Sequence, residues 1–489
     1  MKLIVLMIET VLALWPLLLS ILSVATATAA TLHVVLRKRD SRAVIGWVGL
    51  VWLAPLVGSL VYVCFGINRI QRRAMALKID RRWVEQLPHR RHPEREQRLE
   101  RVQREHPGLL GLMRLEHRLS GNPLLPGNQV ECLINGDTAY PAMLKAIDAA
   151  QESIALLTYI FDNDAVGQMF REALRRARDR GVAIRVLIDA VGARYSRPTM
   201  IDVLERDGIS VAAFLPTGRP SMVKYSNLRN HRKILVVDGR IAFTGGTNIR
   251  EGHWIARRPK APAQCLHFRI EGPVVTQIQE MFAIDWGFAT QEQLTGAPWF
   301  PALEERDAVW AHGIPDGPDE HLEVLHDVII GALGTASDRV WIITPYFLPE
   351  SALMHALTIC ASRGVDLRII LPETNNLPLV QWAAEAAFQY LIPKGCRIFL
   401  TPEPFDHTKL MTMDGAWSLI GSTNWDPRSL RLNFEFNVAC YDNKLAASLE
   451  HIVELKLQEA REVTMDDISE WRLPRRLRNG LARLLTPYL

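Results

Sequence analysis

The residues of this chain with the types and spacing for chemistry are two histidines, two lysines and two asparagines. His231–Asn248 reads HRKILVVDGRIAFTGGTN, and His407–Asn424 reads HTKLMTMDGAWSLIGSTN. One offset of 176 positions pairs His231 with His407, Lys233 with Lys409, Asp238 with Asp414, Gly245 with Gly421 and Asn248 with Asn424. A lone His-x-Lys means little, but an eighteen-residue pattern repeated in register implies two copies of one structural unit. Imidazole, ammonium and carboxamide together suit a phosphodiester. Cations and amide donors would hold the oxygens, one imidazole would attack phosphorus, and the other would protonate the leaving oxygen. A satisfied core histidine beside a surface lysine is the structural alternative, and the in-register repeat weighs against it.

These side chains need elements to place them. Ile234 to Val237 is apolar and partly β-branched, Asp238-Gly239 is a hairpin turn, and Arg240 to Thr244 returns as a second strand. Positions i and i+2 of a strand share a face, so His231 and Lys233 project together. The Gly245-Gly246 and Gly421-Ser422 pairs allow close backbone approach. Around each motif the repeat continues. Strand Ser153–Phe161, helix Val166–Arg180 and strand Ala183–Asp189 are echoed by strand Val340–Tyr346, helix Ala352–Arg363 and strand Asp366–Leu371. Alternating strands and helices read as an α/β sheet covered by helices on both faces. If the halves face each other about a pseudo-twofold axis, one pocket holds both motifs.

A chain of 489 residues suggests two or three domains. Its 22% charged and 48% hydrophobic residues fit a globular protein with some membrane-embedded sequence. The net charge of +4 is too mild to indicate nucleic-acid binding. The six cysteines are scattered without a C-x-x-C pair, which argues for reduced thiols on a cytosol-facing protein. Two apolar stretches, Leu3–Leu36 and Val44–Ile67, each exceed the roughly 20 residues that span a bilayer, and they predict a transmembrane helical hairpin. A small-residue run at 25–30 resembles a signal-peptide cleavage site, but only Lys2 precedes the apolar run and a second stretch follows it. Basic residues outside the hairpin favour both termini in the cytoplasm. Residues 69–125 read as a basic juxtamembrane linker attracted to anionic headgroups, with no cluster to make His89 and His92 metal ligands. Near the C-terminus, Leu473, Leu477, Leu481 and Leu485 recur every four residues among arginines. That basic amphipathic helix either lies on a membrane or docks on the second domain.

The paired motifs, with YIFDND, RIEGPVV, ITPYFLPE, GSTNWDPRSLRLNFEFN and RLLTPYL, closely resemble bacterial cardiolipin synthases of the phospholipase D superfamily. The resemblance implies two tandem phospholipase D-like repeats, at 126–300 and 301–489, behind a membrane hairpin at 1–68. It also implies a reaction in which two phosphatidylglycerol molecules give cardiolipin and glycerol through a phosphohistidine, with no cofactor and no metal. The catalytic motifs would be His231, Lys233, Asp238 and His407, Lys409, Asp414, with the aspartates structural beside their turn glycines. His231 would be the nucleophile and His407 the general acid and then base, although both halves carry the full set and the roles can reverse. Asn248, Asn424, Ser422 and the glycines Gly245, Gly246 and Gly421 would surround the phosphate. In the family a carboxylate fixes each histidine ring. Glu435 is expected to serve His407, while Cys265 stands where the acid for His231 belongs, with Glu251 as a substitute. Partners would be phosphatidylglycerol and anionic lipids, not nucleic acid. The place implied is the bacterial inner membrane, multi-pass, with catalytic domains in the cytoplasm and no oligomeric state specified. A phospholipase D releasing phosphatidic acid, a tethered nuclease and an inactive lipid-binding scaffold are the alternatives.

Overall fold

The computed structural model describes residues 2–38, 41–66, 104, 106–216, 227–319 and 321–486. It divides into two units, residues 1–72 and 73–489.

In the first unit, Lys2–Arg37 is one helix, and its portion Leu14–Arg37 is long and apolar enough to cross a membrane. The second apolar stretch is not continuous, as the hairpin reading expected. It is helical over Ser41–Leu53, breaks at Ala54, and resumes over Pro55–Val61. Pro55 lacks the N–H that would continue the ladder, and it begins the new segment as a first-turn proline. Ala27, Ala30, Val34, Val51 and Tyr62 pack these pieces together, while Leu17, Leu18, Ile21 and Leu22 remain exposed. The linker reading for residues 69–103, including His89 and His92, lies outside the described residues. Residues 110–120 of the expected linker form a helix whose Leu112 and Met113 enter the core of the second repeat. Its Glu116 is fully buried and accepts from Trp417 Nε1, His312 Nε2 and the Tyr441 hydroxyl.

The second unit is built on one mixed sheet. Its strands are β1 (Leu125–Ile134), β2 (Ser153–Thr158), β3 (Ala183–Asp189), β4 (Val211–Phe214), β5 (Arg229–Asn230), β6 (Ile234–Val237), β7 (Ile241–Gly245), β9 (Leu266–Glu271), β10 (Val309–Asp316), β11 (Arg339–Ile343), β12 (Asp366–Pro372), β13 (Arg397–Thr401), β15 (Leu410–Met413), β16 (Trp417–Gly421), β17 (Asn433–Tyr441) and β18 (Arg461–Val463). Two short strands, β8 (Ala263–Gln264) and β14 (Phe405–Asp406), pair separately with each other. The order is β4-β3-β2-β6-β7-β9-β1-β10-β17-β16-β15-β11-β12-β13-β18, which reads the same way outward from the β1–β10 junction except that β18 extends the second repeat at its far edge. β1 and β10 pair antiparallel there, so the pseudo-twofold axis passes between them. The fold is therefore two α/β repeats joined edge to edge. Each keeps a separate core, one around Ile154, Val186 and Phe243, the other around Ile342, Leu367 and Trp417.

The hairpins form as the sequence predicts. Asp238 and Gly239 sit at φ 52° and 62°, and Asp414 and Gly415 at 51° and 63°, the left-handed pair that a two-residue hairpin turn requires. The carboxylates of both aspartates turn away from the motif histidines. Asp238 accepts the backbone N–H groups of Gln151, Glu152 and Ser153, and Asp414 those of Ser337, Asp338 and Arg339. Each aspartate thus ties its hairpin to the start of the adjacent antiparallel strand, β2 or β11.

Candidate active site

The two motifs meet through a crossed exchange between repeats. β5, which leads into His231, pairs with the start of β17, and His231 N donates to Phe434 O at 2.9 Å. β14, which leads into His407, pairs with β8, and His407 N donates to Gln264 O at 2.8 Å. Each histidine is therefore seated on the strand of the opposite repeat. Register fixes the equivalence of what lies there. Gly245 faces His267 and Gly421 faces Asn437, so Cys265 and Glu435, each two residues earlier, occupy matching positions.

The expected pairing is corrected by this exchange. Glu435 holds His231, not His407, with Nδ1 2.9 Å from Oε1 and 3.1 Å from Oε2. Cys265 lies beside His407, where its Sγ is 3.4 Å from the His407 carbonyl oxygen. The His407 ring has a weaker partner, the Gly246 carbonyl oxygen 3.1 Å from Nδ1. Glu251 is not needed, because His231 already has its carboxylate. Sequence spacing placed Glu435 28 residues after His407 and so suggested a contact within one repeat. Only the crossed pairing of β5 with β17 overrides that.

Ser422, expected among the phosphate donors, is fully buried and its hydroxyl donates to Glu435 Oε2 at 2.5 Å, while Asn433 Nδ2 donates to Oε1 at 3.2 Å. The first half has Gly246 at this position because there is no room for more. A Cβ there would lie 2.5 Å from Cys265 Sγ and 3.0 Å from the His407 carbonyl oxygen. Serine with glutamate in one half is thus replaced by glycine with cysteine in the other. Gly245 and Gly421 likewise accommodate His267 and Asn437 of the neighbouring strand, so these glycines serve packing between strands.

Lys233 and Lys409 are buried, and each Nζ donates to its own histidine's carbonyl oxygen at 2.6 Å. Burial pushes Lys233 down to about 7, with Lys409 adding to it against the pull of Glu435, and burial pushes Lys409 down to about 8. Burial takes the His231 imidazole down to about 4 against the attraction of Glu435. Burial, then Lys409, holds His407 well below the usual histidine range. Glu435 is kept below the usual carboxylate range because, although burial opposes it, His231 and then Lys233 favour its charge. Both rings are accordingly neutral. Nδ1–H of His231 donates to a carboxylate, and Nε2 is left with its lone pair unprotonated. Asn248 Oδ1 accepts from Ile160 N, which frees its Nδ2 as a donor, and Asn424 Nδ2 donates once, to Ser429 Oγ.

His231, His407, Asn248 and Asn424 line one cavity of about 400 Å³. Its wall also contains Arg229, Arg250 and Arg428, none of which the motif suggested. His253 was missed as well. Its Nδ1–H donates to Ala263 O, and its ring lies 5.9 Å from that of His407. Arg232, the unremarked middle residue of HRK, is fully buried. It binds Asp285 at 2.6 and 2.7 Å and donates through Nε to the Glu435 carbonyl oxygen at 2.9 Å. It lies in the link between β5 and β6, away from water, so a charge there required a buried partner. Thr408 at the matching position shows that the two halves are not equivalent. Among the described residues, no three His, Cys, Asp or Glu side chains come together as a metal-ligand set.

The family model for the cardiolipin synthase, phospholipase D-like domain matches residues 143–286 and 329–455, one match per repeat. The chain belongs to the cardiolipin synthase family. Cardiolipin synthase A of Pseudomonas putida is 32% identical over 94% of this chain and 95% of its own. Cardiolipin synthase A of Pseudomonas aeruginosa is also 32% identical, over 94% of this chain and 93% of its own. In fold, the family member is similar to the phosphatidylserine synthase of Haemophilus influenzae, with a TM-score of 0.60 and 16% identity over 77% of this chain and 100% of that one. The family is one of phosphatidyltransferases, and phosphatidyl transfer is chemistry that two imidazoles in one cavity, with a buried lysine behind each, can perform.

Proposed function

We propose that this protein joins two phosphatidylglycerol molecules into cardiolipin with release of glycerol. The observation that carries this reading is the single cavity shared by both motifs, with one histidine on a buried carboxylate. His231 Nε2 attacks the phosphorus of the first lipid, a P–N bond forms, and the P–O bond to its headgroup glycerol breaks. His407 protonates the leaving glycerol oxygen. It then takes the proton from a headgroup hydroxyl of the second phosphatidylglycerol, whose oxygen attacks phosphorus and breaks the P–N bond. One phosphodiester replaces another, so no nucleotide is consumed. His407, held low by burial, becomes an acid once an anionic phosphodiester lies beside it, because that charge favours imidazolium.

Lys233, Lys409, Asn248 and Asn424 bind the non-bridging oxygens. Asp238 and Asp414 act on the hairpins. Glu435 fixes the His231 tautomer, and its attachment to His231 alone supports His231 as nucleophile. We divide the chain into a membrane region at 1–68, a linker at 69–125 and repeats at 126–300 and 301–489. The helix at Leu14–Arg37 supports attachment to the bacterial inner membrane. The second apolar stretch completes a hairpin that keeps the repeats in the cytoplasm. Supplying the full chain with phosphatidylglycerol vesicles and identifying products by mass spectrometry tests the reading. Cardiolipin with equimolar glycerol is expected. Phosphatidic acid as the main product would make water the acceptor and overturn it.

A further inference from the structure

The C-terminal helix, Leu473–Leu484, is mounted inside out for a soluble protein. Its small and polar face docks, and its leucines face solvent. Asn479 and Ala482 are buried against the helix Pro378–Leu391, where Asn479 Nδ2 donates to Glu385 at 2.7 Å. Arg475 and Arg478 reach the same carboxylate at 3.2 and 3.5 Å and lie over Trp471 and Trp382. Docking therefore uses ion pairs and ring faces. Meanwhile Leu473, Leu477, Leu481 and Leu484 are 57% to 71% exposed. Hydrophobic burial would favour the opposite rotation unless something apolar covers those leucines.

We propose that this face seats the catalytic body on an anionic lipid bilayer, leucines in the acyl boundary and arginines at the headgroups. Charge selects the occupant. Residues 472–485 hold five arginines and no acid, so a second copy of the helix would bring like charges together, whereas an anionic bilayer meets both faces of the pattern. Continuity with the cavity gives the seat a use. Ala482 packs in one cluster with Leu348 and Val380, which line the active-site cavity. Leu377, at the start of the supporting helix, lines the cavity too and is half-exposed. The surface thus brings the cavity to the plane of its lipid. This rests on the lipid reading above and adds where the lipid enters.

The test uses the full chain in vesicles of phosphatidylethanolamine and phosphatidylglycerol, 3:1. With the photoreactive residue p-benzoylphenylalanine at position 477, irradiation should yield a lipid adduct on the segment 473–485. Protein–protein cross-links instead of lipid adducts, or no adduct, would overturn the proposal. A second arm replaces Leu477→Glu and Leu481→Glu, both at exposed positions. Turnover of vesicular phosphatidylglycerol should fall about tenfold or more, the scale of one leucine's partition into an apolar phase. Turnover of short-chain phosphatidylglycerol kept monomeric should not change, and equal losses on both substrates would count against the seat. The adduct needs no turnover. A chain that labels lipid without making cardiolipin therefore keeps this inference and loses the functional reading.

Discussion

Glu435→Gln isolates charge from shape at the centre of the site. Three donors converge on the carboxylate: His231 Nδ1–H, Ser422 Oγ–H and Asn433 Nδ2–H. The amide can keep His231 and Asn433 on its oxygen and give its NH2 to Ser422, which already accepts from Phe436 N at 3.1 Å. The fold should survive, and what disappears is the charge facing the ring. Hydrogen bonds to charged groups contribute about 1.5–3 kcal/mol, against about 1 for neutral ones. The difference, a loss of about 0.5–2 kcal/mol in transition-state stabilisation, corresponds to roughly 2–30-fold in kcat, with KM little altered. The pH profile gives a second reading. Glu435 raises the His231 pKa from the low value that burial imposes, so removing the charge lowers it further. The acid limb of kcat/KM should move to lower pH as the plateau falls, which general loosening would not produce. Rates are measured as glycerol release from phosphatidylglycerol in mixed micelles. More than half of the original kcat, or an acid limb moving to higher pH, would refute the assignment of Glu435 to His231.

Cys265→Ser should cost at most about threefold in rate, since the thiol, a weak donor, meets the carbonyl oxygens of His407 and Leu266 and the Thr247 side chain rather than the His407 ring; a loss equal to that of Glu435→Gln would show a role for sulfur. Gly246→Ser should destabilise the fold by about 1–3 kcal/mol through collision with Cys265 Sγ, and Cys265→Ala in the same chain should restore most of it in thermal unfolding. Arg232→Ala leaves Asp285 buried and unpaired, at a cost of about 3–5 kcal/mol, so the melting temperature should drop well below that of any cavity variant. Because lysines and amides stabilise the charge, strong chelation should leave the rate within about twofold, and a loss restored by one particular divalent ion would contradict the site.

Much of this was legible because duplication turns a weak motif into a strong one. The Asp-Gly turns, the strands Ile234–Val237 and Ala183–Asp189 and the α/β repeat follow from local pattern. Burial of the His-Lys pairs follows from the inter-strand exchange. That exchange was not legible. β5 and β8 are two residues long and carry no periodicity, yet the pairing of β5 with β17 sends Glu435 to the opposite repeat, and that of β8 with β14 seats His407. Spacing along the chain points to the wrong histidine, because a contact across 204 positions leaves no local trace. The Arg232–Asp285 pair was hidden similarly, its halves 53 residues apart on the link between β5 and β6 and on a helix. The break at Ala54 was within reach, since Pro55 in an apolar run signals an interrupted helix. The outward leucine face needed the docking partner Glu385, which no helical wheel of residues 473–485 contains.

The central claim is that one composite site uses His231 as its nucleophile. Its most direct test is to trap the covalent state. His407→Ala, incubated with phosphatidylglycerol and quenched under alkaline conditions that preserve phosphoramidates, should accumulate one phosphatidyl group per chain. Peptide mass spectrometry should place it on His231, and His231→Ala should accumulate none. An adduct on His407 in the His231→Ala chain, with none on His231 in the other, would contradict the account.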